Sequence, residues 1–338
     1  MKLNINKPKR WLTLTSYVVV CLILFQSAAN AQDSTVIAPE TSVPTKPKPV
    51  KNTFQSVWII DNQTVLVPVK KTFEMDIQHR FGTVKKGYED FWGFFAPSNI
   101  RIGFSYVPIN KLNVGVGFTK TTASIIPGQS TSSVSGPLWD GSLKYSIITQ
   151  TKGVYPVSVT YYGNAAYNTK KDPEHDVYRN YSDRLSYFHE LIIARKITNK
   201  LSVQVAPNLS HHNVVNGYFV KLNDSTLKVE PDMKFDHFAV SFSARYKLTN
   251  VTSVMVNYDQ PITKHVSNNP NPSLSFGLEF NTSSHSFQLF ATNFFYLVPQ
   301  INNLYNTNSP FKYTDAANNK IEGGKFLIGF NVTRLWNY

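Results

Sequence analysis

Most of the chain after residue 71 consists of segments in which apolar and polar residues alternate. From Phe73 to Phe81, charged or amide side chains occupy every second position, and apolar or aromatic side chains, with His79 among them, occupy the others. Successive side chains of a strand point to opposite faces, so this pattern predicts a strand with one apolar and one polar face. The same alternation recurs in residues 100–106, 112–119, 238–246, 274–281 and 326–333.

Less regular segments of the same kind lie between these. They are residues 143–148, 154–166, 185–197, 201–214, 254–260 and 286–297. Residues 185–197 fit either register, because Ile192-Ile193 and Arg195-Lys196 interrupt the alternation. Together the segments predict about twelve strands, and no amphipathic helical pattern interrupts them, which excludes a parallel βαβ architecture.

The predicted connections alternate between short and long. Short ones are expected at residues 108–111, 150–153, 198–200, 249–250 and 282–284, and long ones at 83–97, 123–138, 167–183, 215–233, 261–272 and 298–323. Bacterial outer-membrane barrels have tight periplasmic turns and long external loops, whereas a β-sandwich has no reason to collect its long loops at one end. The pattern therefore favours an all-β fold, a single transmembrane antiparallel β-barrel with both termini periplasmic.

The first 31 residues predict a signal peptide. Lys2, Lys7, Lys9 and Arg10 precede an apolar run over residues 11–25, and Ala29-Asn30-Ala31 is typical of a cleavage site. The alternative is a membrane anchor, but the run is short for a spanning helix. We expect cleavage near Ala31, a flexible periplasmic linker over 32–53, and the barrel over 71–338.

Residues 54–70 form a separate, rather apolar segment before the first strand of the barrel. Val57, Trp58, Ile59 and Ile60 are followed by the apolar stretch 65–67. A plug inside the lumen, a periplasmic cap and an additional strand all fit this pattern. A plug would occlude a pore, so the position of this segment bears directly on function.

Composition excludes several classes of function. Only 16% of the 338 residues are charged, 42% are hydrophobic, and the net charge of +13 falls to +9 without the four basic residues of the leader. The single cysteine, Cys21, lies in the leader, so the mature chain is expected to have no disulfide and no thiol chemistry. Nucleic acid is not an expected partner, since the positive charge is thinly spread.

The C-terminal segment ends in two aromatic residues, Trp336 and Tyr338. It is similar to the last-strand signal that the barrel assembly machinery reads, although Arg334 interrupts the outward-facing register. Assembly would thus involve that machinery, and the mature protein would contact outer-membrane lipid and lipopolysaccharide. The sequence identifies no protein partner.

Several blocks of the chain resemble one family. Residues 73–82 with His79-Arg80-Phe81-Gly82, then Phe91-Trp92-Gly93-Phe94 and residues 100–106, resemble a family of uncharacterised outer-membrane β-barrels from Bacteroidota, and the resemblance extends over residues 54–338. It implies a barrel in the outer membrane of a Gram-negative cell. Because the domain is of unknown function, it implies no activity and no site residue.

Parity within the predicted strands assigns a set of charged side chains to the lumen. They are Glu74, Asp76, Arg80, Arg101, Lys144, Glu190, Arg245 and Glu279. Eight strands leave an interior just filled by side chains and sixteen to eighteen leave a channel, so twelve lies between these cases. The mixed charges fit a weakly selective pore and equally fit ion pairs across the lumen.

A barrel hydrolase is also considered. Ser210, His212 and His237 form a candidate cluster at the rim, in which a histidine would activate the serine. Adjacent residues of a strand face opposite sides, so no nucleophile–base pair follows from sequence neighbours. We expect no enzyme activity, no metal site and no cofactor.

Three classes of function remain. The first is a narrow passive or gated channel for small solutes, and the second is a structural or accessory barrel that binds a partner through its loops or linker. The aromatic residues 88–95 are the best contact candidate for the second class. The third is the barrel hydrolase. The solute of the channel is not identified by the sequence.

Overall fold

Twelve antiparallel strands close into a single barrel. In this computed structural model the described residues are 47–121, 137–170, 178–215, 217–223, 226–266, 269–314, 318 and 320–337. The barrel strands are β3 (Thr72–Thr83), β4 (Asn99–Ile109), β5 (Leu112–Thr121), β6 (Leu138–Ile148), β7 (Ser158–Asn168), β8 (Leu185–Lys196), β9 (Leu201–His212), β12 (Asp236–Lys247), β13 (Thr252–Pro261), β14 (Ser273–Asn281), β15 (His285–Thr292) and β18 (Leu327–Asn337). The predicted all-β antiparallel barrel and its number of strands are confirmed.

The first and last barrel strands pair with each other and close the ring. β3 and β18 run antiparallel, with Thr72 opposite Asn337 and Arg80 opposite Gly329. Closure leaves no free edge, so every strand has a hydrogen-bonded neighbour on both sides, as a sheet surrounded by lipid requires.

The two faces of the barrel wall differ in polarity. In β3 the buried positions alternate with partly exposed ones. The buried positions are Thr72, Glu74, Asp76, Gln78, Arg80 and Gly82. Apolar and aromatic side chains cover much of the outside, among them Val116, Trp139, Leu191, Phe242, Val256, Phe276 and Leu289. The chain therefore has a polar interior and an apolar exterior.

The connections collect by length at the two ends of the barrel. One end has the shorter connections, and we call it the turn end. They are residues 110–111, 149–157, 197–200, 248–251 and 282–284. The opposite end, the loop end, carries the connections 84–98, 122–137, 169–184, 213–235, 262–272 and 293–326. Both Thr72 and Asn337 lie at the turn end.

Shorter elements are not part of the barrel sheet. They are β1 (Trp58–Ile59) with β2 (Asn62–Gln63), β10 (Gly217–Asn223) with β11 (Thr226–Pro231), β16 (Tyr313–Thr314) with β17 (Lys320–Ile321), helix α1 (Pro299–Tyr305), and two 3-10 helices at Val84–Asp90 and Tyr181–Arg184. The pattern analysis did not predict α1, which has seven residues. Within the described ranges, no helix has the length and apolarity needed to cross a membrane.

Some strand limits differ from the prediction. β6 begins at Leu138 rather than near residue 143, and β15 ends at Thr292 rather than near residue 297. β7 begins only at Ser158, because the bridge between Thr151 and Tyr155 folds the preceding residues into the turn. The sequence left two registers for β8, and the structure distinguishes them. Glu190 and Ile192 face the interior and are buried, whereas Leu191 faces outward and is exposed.

Candidate functional site

The lumen wall carries all eight of the charged side chains that parity assigned to it. Each is at most 5% exposed, and each lies on the buried face of its strand. They are Glu74, Asp76, Arg80, Arg101, Lys144, Glu190, Arg245 and Glu279. Buried charges are costly unless they are paired or hydrogen-bonded, so their partners determine what the lumen can do.

Arg101 is the centre of an ion cluster in the wall. Its Nη1 donates to Asp76 Oδ1 at 2.8 Å, and its Nε and Nη2 donate to the two carboxylate oxygens of Asp140 at 3.0 and 2.9 Å. Such a bidentate pair fixes the guanidinium plane as well as satisfying its charge. A Cβ atom at Gly103 or Gly117 would lie within 2.2 Å of this cluster, so the two glycines provide its space.

Residues 54–70, which we call the inner segment, contact wall residues all around the barrel. Polar contacts join it to Arg80 of β3, Lys144 of β6, Thr160 of β7, Gln204 of β9, Arg245 of β12, Asn257 of β13, Asn281 of β14, Gln288 of β15 and Asn331 of β18. Only a segment within the ring can reach strands on every side. Its short β1–β2 hairpin turns at Ile60 and Asp61, where Ile60 has a φ of 58°.

Many of these contacts use the backbone of the inner segment. Gln288 donates from Nε2 to the Trp58 carbonyl at 2.8 Å and accepts at Oε1 from the Ile60 amide at 3.1 Å. Asn331 donates to the Ile60 carbonyl at 2.6 Å, and Gln204 donates to the Gln63 carbonyl at 2.7 Å. Wall side chains thus replace the strand partners that the hairpin edges lack.

Three of the predicted wall cations have partners on the inner segment. Arg80 pairs with Asp61, and Lys144 Nζ donates to Gln63 Oε1 at 2.9 Å. Arg245 pairs with Glu279 of the wall and also donates to Gln55. The wall charges therefore form ion pairs and hydrogen bonds both with one another and with the inner segment.

Apolar contacts also hold the inner segment. Its residues Phe54, Ile59, Ile60 and Val65 are buried in one cluster with wall residues. The wall members of this cluster are Tyr162, Phe188, Ile192, Ala194, Ala206, Met255 and Phe290. The inner segment is therefore held by an apolar cluster on the wall as well as by the polar wall side chains.

A small cavity remains between the inner segment and strands β3 to β7. Its volume is about 20 Å³, and Trp58, Gln63, Glu74, Asn113 and Lys144 are among its lining residues. That volume accommodates about one water molecule. Glu74 Oε2 and Asn113 Oδ1 have no hydrogen-bond partner in the protein, so a water here would meet unpaired acceptors.

The loop end is occupied by the connection 293–326, which we call the lumen loop. Its helix α1 buries Gln300, Ile301, Asn302, Leu304 and Tyr305. The apolar members pack with wall residues Leu138 and Ala166 and with Met233. Burial raises the pKa of Tyr305 above its usual value, so this phenol stays neutral.

Amide side chains join α1 to the wall. Gln300 Nε2 donates to Asn164 Oδ1 at 3.0 Å, and Asn303 Nδ2 donates to Asn208 Oδ1 at 2.9 Å. Just after the helix, Asn306 donates to Ser273 Oγ at 3.1 Å. The two ends of the lumen are thus filled in different ways, by a hairpin with backbone contacts and by a helix with amide contacts.

The candidate hydrolase cluster lies close to α1 but has other partners. Ser210 and His237 face each other across β9 and β12, and with His212 they are at most 5% exposed. His212 Nε2 donates to the Gln300 carbonyl at 3.1 Å, and Ser210 Oγ lies 3.4 Å from Asn303 Nδ2. Among the hydrogen bonds of the described residues, none joins Ser210 to a histidine.

His237 pairs instead with a histidine of the connection 262–272. His237 Nδ1 and His265 Nε2 are 2.9 Å apart, and their rings are stacked. His265 Nδ1 accepts from the Lys234 backbone amide at 2.9 Å, so it is Nε2 that carries the proton donated to His237. Burial lowers the pKa of His265, the charge of Lys234 lowers it further, and Asp232 opposes these effects. No cluster of three metal-ligating side chains occurs among the described residues.

Sequence reasoning missed several lumen residues. Asp140, Asn164 and Asp259 are buried polar residues of the wall, and Phe188 and Phe290 are buried apolar ones. A signal for the apolar ones existed, because they lie in segments where the alternation was least regular. Parity within β6 also places Asp140 on the same face as Lys144.

Trp336 lies near the turn end of β18. The Trp336 ring contacts Phe73 at 5.6 Å between centroids, and the Arg334 guanidinium lies 4.7 Å from the Trp336 centroid. Arg334 faces outward near the end of β18. A cation stacked on an indole ring at this position is typical of a membrane interface. Tyr338 lies outside the described residues.

Comparison with known proteins identifies the family. Residues 54–336 match the family described as "Membrane bound beta barrel domain (DUF5777)". The chain belongs to this family. Members of DUF5777 have a domain of unknown function, and the match extends from the inner segment to the end of β18, so both are part of the family's domain. The apolar outer surface of the barrel is accordingly its lipid-facing surface.

Several solved structures match the chain at low sequence identity. An outer membrane channel from Pseudomonas putida F1 matches with 10% identity and a TM-score of 0.45 over 80% of this chain and 97% of its own. NanC porin matches with 8% identity and a TM-score of 0.41 over 79% and 99%, and KdgM porin with 8% and 0.39 over 78% and 99%. No curated protein matches the sequence.

Proposed function

We propose that this DUF5777 protein is a gated channel for small polar solutes in the outer membrane of a Gram-negative cell. In this proposal the turn end faces the periplasm, residues 1–31 are removed, and the linker 32–53 leads to the inner segment. The inner segment is the plug that closes the lumen at the turn end. The lumen loop narrows the passage at the loop end.

The observation that supports the proposal most directly is that many polar side chains of the wall form hydrogen bonds with the inner segment. Lys144, Gln204, Asn257, Gln288 and Asn331 all use the inner segment as a hydrogen-bond partner. A wall built only to fill the barrel would satisfy its polar groups among the strands. Without the inner segment, this wall presents donors and acceptors to water around the whole ring, as a hydrated passage requires.

The free-energy cost of undocking the inner segment comes mainly from its apolar side chains. Each wall hydrogen bond contributes only about 1 kcal/mol net, because water replaces the lost partner. Re-exposing Phe54, Ile59, Ile60 and Val65 costs more, roughly 1.5–3 kcal/mol for each fully buried large side chain. The plug is therefore stable at rest, and an input of energy or a binding partner is needed to open it.

Planar-bilayer conductance tests the proposal directly. The refolded mature chain is compared with a variant that lacks residues 32–70, and heat-modifiable electrophoretic mobility verifies that both are folded barrels. We expect rare or small openings in the mature chain and stable conductance after the deletion. A folded deletion variant without conductance overturns the channel proposal.

Asp61→Asn provides a milder version of the same test. It removes the charge partner of Arg80 without deleting any part of the barrel. We expect more frequent openings than in the mature chain. The matched control is Asp183→Asn in the connection between β7 and β8, which removes a partly exposed carboxylate that accepts from the Asn180 backbone amide at 2.8 Å and, among the described residues, from no lumen residue. We expect it to leave the opening frequency unchanged.

A second candidate is the accessory barrel that binds a partner through its loops or linker. The observation in its favour is that the lumen is filled at both ends, by the inner segment and by α1. Silence of both the mature chain and the deletion variant, with proteins that co-purify from native membranes, would favour this candidate over the channel.

A further inference from the structure

The connection between β3 and β4 differs from the other described loops in its aromatic content. Residues 84–95, which we call the aromatic loop, form a 3-10 helix followed by a tight turn. The Trp92 amide donates to the Gly87 carbonyl at 2.6 Å, and the Gly93 amide donates to Asp90 Oδ1 at 2.9 Å. These internal hydrogen bonds give the loop a defined backbone.

That backbone is strained at two aromatic residues. Phe91 has a φ of 51° and Trp92 a φ of 54°, values that bulky side chains rarely adopt. Gly93 follows with a φ of 84°, and a Cβ atom there would lie 2.2 Å from the Gly82 carbonyl oxygen. The backbone is therefore in an unfavourable conformation at the two residues that carry the Phe91 and Trp92 rings.

These rings are not buried by the protein. Tyr88 is 83% exposed and Phe95 is 82% exposed, while Phe91, Trp92 and Phe94 are each at least 40% exposed. They form one cluster, with Phe91 in ring contact with Trp92, Phe94 and Phe95 at 5.3, 5.9 and 5.7 Å between centroids. An exposed apolar cluster of this kind marks a surface that something else covers.

The cluster continues the lipid-facing surface of the barrel. The Phe94 ring lies 4.5 Å from the ring of Phe81, which faces outward near the end of β3. Phe81 in turn contacts His79 and Phe330 on the same outer face. The aromatic loop therefore extends the outer surface beyond the strand ends, in the direction away from the lumen.

Basic side chains lie beside the cluster. Lys85 and Lys86 are exposed in the 3-10 helix, and Lys312 is exposed in the lumen loop. The hydrogen bond from Lys85, together with its charge and those of Lys312 and Lys325, lowers the pKa of Glu322. Rings that meet an apolar phase beside long cationic side chains are typical of a membrane interface.

We propose that the aromatic loop is a lipid-binding surface, in which its rings enter the membrane interface and Lys85 and Lys86 contact the phosphate of a membrane lipid. Covering by lipid accounts for the exposed rings and for the strained residues that hold them. Membrane interfaces favour aromatic side chains because one part of each ring is solvated while the other is in an apolar phase. The inference depends on the membrane-bound barrel and not on the channel.

Site-directed spin labelling measures whether the loop is in lipid. With Cys21→Ser the introduced thiol is unique, and a label at Phe95→Cys is compared with one at Tyr181→Cys, since Tyr181 is an 85% exposed aromatic residue of another loop. In phosphatidylcholine bilayers, we expect the label at 95 to collide mainly with oxygen and the label at 181 mainly with a water-soluble nickel complex. A label at 95 as accessible to nickel as that at 181 overturns the proposal.

Titration with a fluorescent phosphatidic acid in detergent tests the phosphate contact. We expect the double variant Lys85→Gln, Lys86→Gln to bind it more weakly, by roughly fivefold for each lysine removed. The matched control, Lys234→Gln with Lys264→Gln, removes two exposed lysines from other connections at the loop end and leaves binding unchanged. Equal binding by all three proteins, or equal loss in both variants, contradicts the assigned phosphate contact.

Discussion

The aromatic loop and the lumen loop lie side by side at the loop end of the barrel, yet they fold in opposite directions. They are joined by the hydrogen bond from the Val84 amide to the Phe326 carbonyl and by the Lys85–Glu322 ion pair. The aromatic loop leaves its rings exposed along the outer wall, whereas the lumen loop buries α1 inside. Two loops that are connected to the neighbouring strands β3 and β18 thus lie in different environments, one along the outer wall and the other in the lumen.

The difference follows from side-chain chemistry. The lumen loop carries Gln300, Asn302, Asn303 and Asn306 around a few apolar residues, and amides find partners on a wall of Asn, Ser and Gln. The aromatic loop has five large rings and four charged side chains but no amide side chain. Each loop folds towards the surface that matches its polarity, which is the same rule that sorts the two faces of each strand.

The largest effect is expected from Leu304→Ala in the lumen loop. Leu304 is fully buried between α1 and the wall, so the truncation should destabilise the docked helix by about 2–5 kcal/mol. Native-state hydrogen exchange of the backbone amides of residues 300–305 measures this loss of protection. Leu289→Ala is the control, because Leu289 is 54% exposed on the outer wall and its truncation leaves no cavity in the lumen. Unchanged exchange in α1 would mean that the helix is held by its amides alone.

The next effect is expected from Gly93→Ala in the aromatic loop. The positive φ and the clash with the Gly82 carbonyl should cost at least about 1–3 kcal/mol and displace the turn. Trp92 fluorescence, compared with that of a Trp92→Phe chain, reports the displacement. Gly87→Ala also has a positive φ, with a ψ of −125°, but its Cβ meets no atom within 4 Å. We expect there only the backbone strain, about 1–3 kcal/mol, and no displacement by a clash.

A smaller effect is expected from acid at the His237–His265 pair. The pKa of His265 lies below its usual 6.5 in the folded protein, so the released loop binds a proton more readily than the docked loop. The contact is therefore fully stable above pH about 6.5 and weakens as the pH falls below that value. Hydrogen exchange of the Lys234 amide, corrected for intrinsic rates, should lose protection on acidification.

His265→Gln should remove this pH dependence. The aromatic loop contains no histidine, so its exchange should not respond over the same range. An equal response of both loops would point to a global change of the barrel.

The smallest effect is expected from Phe95→Ala in detergent. The side chain is 82% exposed, so its removal should change stability by no more than about 0.5 kcal/mol. Thermal unfolding by circular dichroism measures this change. A large destabilisation in detergent would show that the ring packs on protein, which would contradict the contrast between the two loops.

The sequence predicts the barrel well where each strand has one polar and one apolar face. The alternation predicts the twelve strands and the burial of residues such as Glu74 and Arg101, and the loop lengths distinguish the two ends of the barrel. They fail where an inward residue is apolar, as at Ile192 and Phe290, because its partner in the inner segment is far away in sequence. Such long-range packing leaves only a local irregularity in the pattern.

Helix α1 was missed for another reason. Seven residues are too few for an apolar periodicity to be recognised, and so short a helix is not stable by itself in water. Its stability comes from the wall, through Ile301, Leu304 and the amide contacts. Strand parity correctly places Ser210, His212 and His237 on the inner face. It cannot predict their hydrogen-bond partners, because these lie in loops, where strand parity does not apply. The partners are Asn303, Gln300 and His265.

The tip of the inner segment has a consequence for how the barrel forms. Asp61 pairs with Arg80 of β3, while the Ile60 carbonyl accepts from Asn331 of β18, so the tip is bound by both strands of the closing seam. Since the pairing of β18 with β3 closes the ring, the tip can contact both strands together only once the ring has closed. Contacts over 271 residues are slow to form. Docking of the tip thus coincides with completion of the ring, and a half-assembled sheet lacks the full set of contacts that holds the segment in place.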